Sequence, residues 1–207
     1  MTSMRRKRII AADLKSQAPG TLNKNMPRKA IFLDRDGVIN HKLPEDHYVS
    51  SIEQFVFLDG VAEALRLLRD MGFVLVVITN QRGIARNLMT ESDLEKVHNH
   101  MRSVLARNGV VLDAVYHCPH EKDELCNCRK PQPGMILQAQ RDLGIDLNLS
   151  YLVGDSPSDM EAGSRAGVRS VRITDGQDDT AHAVFKDLLD FARDLANRQN
   201  TVQDVTV

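Results

Sequence analysis

The sequence predicts an α/β fold, a Rossmann-like three-layer α/β/α sandwich built on a mainly parallel sheet, and three observations carry that prediction. Short β-branched runs alternate with longer segments that hold apolar residues at helical spacing. Most of the short runs are apolar throughout, as strands covered on both faces are. Three of them end in a polar group, at Asp34, at Thr79 with Asn80, and at Asp155, and open parallel sheets bind ligands at the carboxyl ends of their strands.

The elements follow in chain order. Residues 1–26 carry Arg5, Arg6, Lys7 and Arg8 and then a Pro-Gly and Asn-Lys-Asn stretch with little apolar periodicity, which predicts a flexible basic N-terminal arm. A single domain is expected over 27–200, because 207 residues suit one well-buried core; 201–207 is expected to be a frayed C-terminal tail. Strands are predicted at 30–34, 73–79, 113–117, 150–154 and 169–173. The first helix is predicted over 60–71, where Val61, Leu65 and Leu68 share a face. A second, over 91–108, carries Leu94, Val97, Met101 and Leu105, opens on a capping box from Thr90 to Asp93, and is stopped by Gly109. A third starts at Pro133 and ends at Gly144, and a fourth runs from near Pro157 to near Gly167. The last is expected over about 180–197. His98 and His100 read as helix-surface residues and His117 as a strand-end residue, while His41, His47 and His182 have no partner visible in the sequence.

Several classes of function are disfavoured by composition. Lys and Arg total 27 against 28 for Asp and Glu, so no global field draws the chain to nucleic acid or to an acidic membrane. Aromatics make up 4% and Trp is absent, which leaves no basic, aromatic-bearing surface for bases to stack on. No apolar run approaches the roughly 20 residues that span a bilayer, and no secretory signal is visible. A cytoplasmic protein acting as a monomer on a small molecule, with neither nucleic acid nor membrane as a partner, is therefore expected.

The stretch "AIFLDRDGVIN" ends a greasy run with two carboxylates, Asp34 and Asp36. Joined by Asp155 from another strand end, they make an oxygen-rich site suited to Mg²⁺. A phosphate monoester fits the remaining chemistry. Asp34 can attack phosphorus and form an aspartyl phosphate. Asp36 can protonate the leaving oxygen and then activate water, provided its neighbours raise its pKa. Thr79 offers a hydroxyl and Lys130 a cation to the equatorial oxygens. Asp159 would orient Lys130 or a water bound to the metal. Asn80 at a strand end, with Arg82, Arg86 and Arg129 on loops that rim the site, are candidates for holding the rest of the substrate. A phospho-acceptor regulator uses similar groups, but an acid/base two residues after the nucleophile serves turnover.

All three cysteines fall within "CPHEKDELCNC". Cys118, His120, Cys126 and Cys128 form C-x-H-x₅-C-x-C, three sulfurs and one imidazole, which matches a closed structural Zn²⁺ site. Separately buried free cysteines are the alternative. Lys130 follows Cys128 by two residues, so a fixed loop fixes Arg129 and Lys130 as well. Besides this loop, only 35–60 and 80–90 could overhang the site, so the fold is expected to be capless, with a zinc-binding loop.

In this order and spacing, "DRDG", "ITN", "RKP" and "GDSPSD" resemble the four signature motifs of the haloacid dehalogenase superfamily of phosphatases, over about residues 28–175. The resemblance implies the roles given above and adds the main-chain carbonyl of Asp36 as a Mg²⁺ ligand. The capless core with its CxH…CxC loop is similar to a branch that acts on heptose bisphosphate and histidinol phosphate. "TNQRGIAR" and "CRKPQPGM" resemble the heptose side of that branch. The five-residue spacer between His120 and Cys126 resembles the histidinol side, and Ser156 departs from the lysine that many heptose enzymes carry there. A sugar phosphate, and foremost a heptose bisphosphate, is the substrate this implies.

Overall fold

The computed structural model describes residues 27–204; the expected arm, 1–26, and the end of the expected tail, 205–207, lie outside the described residues. The strands are β1 (Ala30–Leu33), β2 (Val74–Asn80), β3 (Ala114–Cys118), β4 (Tyr151–Gly154), β5 (Arg169–Ile173) and β6 (Ala183–Phe185). They form one sheet in the order β3-β2-β1-β4-β5-β6, with every neighbouring pair parallel. The helices are α1 (Val61–Asp70), α2 (Glu91–Arg107), α3 (Gly134–Leu143), α4 (Pro157–Ala166) and α5 (Leu188–Asp204). The first five strands and first four helices lie within a residue or two of the predicted spans.

Alternation along the strands creates the three layers. Ile31 and Leu33 of β1, Leu75 and Val77 of β2 and Val153 of β4 face one way, into a core closed by α1, α2 and α5. Ala30, Phe32, Val76, Ile78 and Leu152 face the other way, against Met135, Ile136 and Ala139 of α3 and Ala162 of α4. β1 is buried on both faces, which is why its sequence is apolar without a polar alternate. Chain order reverses on either side of β1, at its junction with β4. This is the topological switch point where open α/β sheets bind ligands, and Asp34, Asp36 and Asp155 lie just beyond these two strand ends.

The helix expected over 180–197 is corrected at its start: 183–185 pair with β5 as an edge strand, and α5 begins only at Leu188. Pairing across the sheet overrides helical spacing here. The break carries a local signal, since the Asp187 side chain accepts a hydrogen bond from the Asp190 N–H at 2.8 Å and so caps the helix. α5 then runs to Asp204, across the expected start of the tail. His182 finds a partner at this point, its Nδ1 accepting from the Ser170 N–H at 3.0 Å. His98, expected on the helix surface, is buried; its spacing from Leu94, Met101 and Leu105 puts it on the inner face of α2. His100 is half-buried, edge-on to Phe55.

Leu65 of α1 is fully buried, whereas Val56 is 53% exposed. Leu65→Ala should therefore lower the unfolding free energy in urea by about 2–5 kcal/mol, while Val56→Ala should stay within about 0.5 kcal/mol of the parent.

Candidate active site and metal centre

The residue after β1, Asp34, is buried at the carboxyl end of that inner strand and accepts the Arg35 N–H on Oδ1 at 2.7 Å. Lys130 Nζ reaches the same oxygen at 2.9 Å, lies 2.6 Å from Asp159 Oδ1 and donates to the Ile78 carbonyl at 3.0 Å. Two carboxylates hold Lys130 protonated despite its burial and keep its pKa above the usual lysine range. Burial above all, then the charges of Asp159, Asp155 and Asp36, push Asp34 up to about 7 against the pull of Lys130. Even with Lys130 beside it, Asp34 is short of compensating charge.

Asp155 supplies a second sign of the same deficit. Its Oδ2 pairs with Lys42 Nζ at 2.6 Å, while Oδ1 is buried with no hydrogen-bond partner among the described residues. Carboxylate oxygens of Asp34, Asp155 and Asp159 lie within 4.8 Å of one another. A hard divalent cation fits such a donor set. Gly37 takes φ 91°, and a Cβ on it would fall on the Asp155 carboxylate; the glycine of "DRDG" thus gives both the turn and the close approach.

Asp36 differs from expectation. Its carboxylate accepts from Arg35 Nη2 at 3.0 and 2.9 Å, from Asn40 Nδ2 at 2.9 Å and from Gln81 Nε2 at 3.0 Å. Burial raises its pKa, but the Arg35 charge and the hydrogen bonds from Asn40, Arg35 and Gln81 outweigh that and hold it below the usual carboxylate range. The raised pKa expected from the sequence is therefore not found, because these donors favour the ionised form. Gln81 also donates to Thr79 Oγ1 at 2.8 Å, tying the strand-end hydroxyl into the same network. Arg35 is itself fully buried, with Nη1 3.2 Å from His98 Nε2. Burial foremost, and then the Arg35 charge, hold His98 well below its ordinary pKa, so it is a neutral neighbour that can accept from the guanidinium.

The four expected zinc-site residues converge. Cys118 Sγ lies 3.3 Å from Cys128 Sγ, 3.8 Å from Cys126 Sγ and 3.4 Å from His120 Nδ1, which is 3.2 Å from Cys128 Sγ. A tetrahedron with metal–sulfur bonds of about 2.3 Å has edges of about 3.8 Å, so the cluster is close to the size of a Zn²⁺ site. No disulfide joins these cysteines. Contact with the Cys128 sulfur, and then burial, push the Cys118 thiol far up, so without a cation the Cys118 thiolate is disfavoured. The donor set fits the metal.

A cavity of about 550 Å³ opens at the strand ends, lined by Asp34, Asp36, Thr79, Asn80, Lys130 and Ser156 together with Arg82, Arg129, Lys122 and the 42–49 loop. Asn80 lines it with both polar atoms committed: Nδ2 donates to the Lys130 carbonyl and Oδ1 accepts from the Lys130 N–H, each at 3.0 Å. Arg129 donates to the His120 carbonyl at 3.3 Å. Arg86 is placed on Asp46 rather than among the lining residues. Ser156 caps α4 jointly with Asp159. Among residues the sequence reading passed over, Arg35, Asn40 and Gln81 hold Asp36, Lys42 holds Asp155, and Asp46 and Tyr48 hold Arg82. Strand parity could have found Arg35: it continues the odd-numbered face of Ile31 and Leu33 toward α2.

Comparison with known proteins bears on what this site does. Residues 127–196 match the family described as HAD-hydrolase-like. A D-glycero-β-D-manno-heptose-1,7-bisphosphate 7-phosphatase of Yersinia pestis is 50% identical over 147 residues, covering 67% of this chain and 76% of its own. The enzyme of that name from Escherichia coli K12 is 43% identical over 189 residues, covering 84% and 97%. A crystal structure of D,D-heptose 1,7-bisphosphate phosphatase from B. bronchiseptica, complexed with magnesium and phosphate, superposes with a TM-score of 0.75 at 34% identity, over 82% of this chain and 99% of that one. Identity of this extent, on a six-stranded parallel sheet with acidic groups at its switch point, shows that the chain is a phosphatase belonging to the haloacid dehalogenase superfamily, in the branch that contains the heptose bisphosphate phosphatases.

Proposed function

We propose that the chain removes the 7-phosphate of D-glycero-D-manno-heptose 1,7-bisphosphate through an aspartyl phosphate on Asp34. The observation that carries this reading is the placement of Asp34 beside Lys130 in a cavity of about 550 Å³ whose lining also includes Arg82 and Arg129. That is room for a phosphorylated sugar, with cations besides Lys130 among the lining residues. The names of the relatives support the choice of sugar.

Both hydrogen bonds to Asp34 fall on Oδ1, which leaves Oδ2 to attack phosphorus. Lys130 and the Thr79 hydroxyl would hold the equatorial oxygens, where phosphoryl transfer is governed by electrostatics. Asp36 would give a proton to the departing sugar oxygen and then take one from the attacking water. In the geometry described it is ionised and held by Arg35, Asn40 and Gln81, so protonation requires some of those bonds to loosen as substrate enters. Asp34, Asp155 and the main-chain carbonyl of Asp36 would hold Mg²⁺, which when bound would offset the carboxylate charge and that of the phosphate. Cys118, His120, Cys126 and Cys128 would hold Zn²⁺ as a structural ion and fix the segment carrying Lys130.

Histidinol phosphate is the second reading, favoured by the five-residue spacer between His120 and Cys126. Phosphate release from a panel of heptose bisphosphate, histidinol phosphate, other sugar phosphates and a 3′-phosphorylated oligonucleotide decides between them. Heptose bisphosphate should give the highest kcat/KM; faster turnover of histidinol phosphate would reverse the assignment.

Asp34→Asn should abolish phosphate release while leaving the far-UV circular dichroism and urea midpoint close to those of the parent. Asp36→Asn should instead be phosphorylated slowly and fail to complete the cycle. Release from Asp34→Asn near the parent rate would contradict the covalent route.

Brief treatment with a mild chelator should stop turnover, with Mg²⁺ alone restoring it and one zinc per chain remaining by elemental analysis. Cys126→Ser should lose zinc, stability and kcat/KM together, with no repair by added Mg²⁺. Recovery by Zn²⁺ only, or a Cys126→Ser protein with full zinc and activity, would contradict the division of roles.

A further inference from the structure

Arg82 is a cation with its donors already engaged. Its Nε donates to Tyr48 Oη at 2.8 Å, Nη1 lies 3.2 Å from Glu121 Oε1, and Nη2 pairs with Asp46 Oδ1. Arg86 Nη1 meets that same Asp46 oxygen at 2.7 Å. Two guanidinium groups therefore converge on one carboxylate oxygen of Asp46, a residue that lines the cavity, an arrangement suited to an anion with several oxygens. A substrate can use this pair only by displacing what now holds it.

We propose that Asp46 stands in for the second phosphate of the substrate: its carboxylate occupies the Arg82–Arg86 pair until a doubly phosphorylated sugar displaces it, which makes Asp46 a specificity-determining residue. The proposal rests on the bisphosphate reading above for the identity of the displacing group, but the anion site itself does not.

Of the partners holding Arg82, Asp46 is the one built to leave. Its side chain is 53% exposed, against 31% for Glu121, so its ion pairs are well screened and weak. It sits in the left-handed region at φ 64°, a conformation tolerated by Asp but not favoured by it. The loop that carries it lines the cavity from Lys42 to Val49 and is tied at its other end by Lys42 to Asp155. Asp46 thus lines the cavity from an exposed loop position outside the sheet. A phosphate dianion brings more charge and more oxygens to two arginines than one carboxylate does. The hydroxyl of a singly phosphorylated sugar brings no charge and cannot compete. Asp46 thus offsets part of the affinity that the two arginines give a second phosphate and leaves a singly phosphorylated sugar unaffected, so it sets the size of the preference between the two.

The test replaces Asp46 with Asn, which removes the charge and tolerates the same φ. In Asp46→Asn, KM for heptose bisphosphate should fall by about three- to tenfold relative to that for the monophosphate, the range expected when one or two screened ion pairs no longer have to be broken. Asp46→Glu should return the ratio toward the parent value, which a merely structural role for the loop would not do. Inorganic phosphate, titrated calorimetrically into the full chain without substrate, reads the anion site directly. It should bind more tightly to Asp46→Asn than to the parent, and the gain should vanish in the double variant Asp46→Asn/Arg86→Ala. A KM ratio and a phosphate affinity unchanged by Asp46→Asn, in protein with the parent's circular dichroism, would overturn the proposal. A parent with no preference for the bisphosphate, combined with tighter phosphate binding by Asp46→Asn, would sustain the role of Asp46 at the anion site and overturn the bisphosphate reading instead.

Discussion

A single buried ammonium organises the active site. Lys130 Nζ bridges Asp34 and Asp159 and is anchored to the Ile78 carbonyl, so it binds the ends of β1 and β2 to the start of α4. Removing it would leave two buried carboxylates facing each other, a far larger cost than the loss of an exposed ion pair. Its own placement is enforced from the main chain outward. Asn80 grips the Lys130 peptide on both sides, and Cys128, two residues earlier, belongs to the sulfur cluster. The cysteine loop, the end of β2 and the carboxylates are in this way one mechanical unit, although they are spread over more than 100 residues of chain.

The same unit is electrostatically incomplete. Asp34 is raised to about 7 with Lys130 in place, and Asp155 keeps a buried oxygen without a partner among the described residues. The surrounding charges share the shortfall unevenly: Arg35 satisfies Asp36, Lys42 takes the outer oxygen of Asp155, and Asp46 neutralises Arg82 and Arg86. Each is a local answer to a charge that substrate or cation would otherwise meet. Catalytic sites are where such unsettled charges collect, because groups positioned for a charged transition state lack their complement until it forms.

Most of the fold was legible because the determinants of its central elements are local. Apolar runs covered on both faces, the Thr90–Asp93 capping box and Pro157 at the start of α4 each act within a few residues. The motif residues were legible for a related reason: a carboxylate that ends a buried strand is conspicuous. What could not be read depends on partners distant in the chain. β6 is a strand because β5 pairs with it, and Asp36 is ionised because Asn40, Gln81 and Arg35 surround it. Asp46 and Lys42 carry no local signal, since nothing nearby in sequence marks Arg82, Arg86 or Asp155 as their partners. His98 is a different case: the spacing 94, 98, 101, 105 placed it inward, and its polarity alone suggested the surface.

The central claim is that Lys130 keeps Asp34 available as the group that takes the phosphoryl. Acid quenching during turnover of heptose bisphosphate, followed by borohydride reduction and peptide mass mapping, would trap an acyl phosphate and locate it. The account predicts modification at position 34 alone in the parent and none in a folded Lys130→Met protein. Modification at position 36, or equal trapping at position 34 in Lys130→Met, would contradict it.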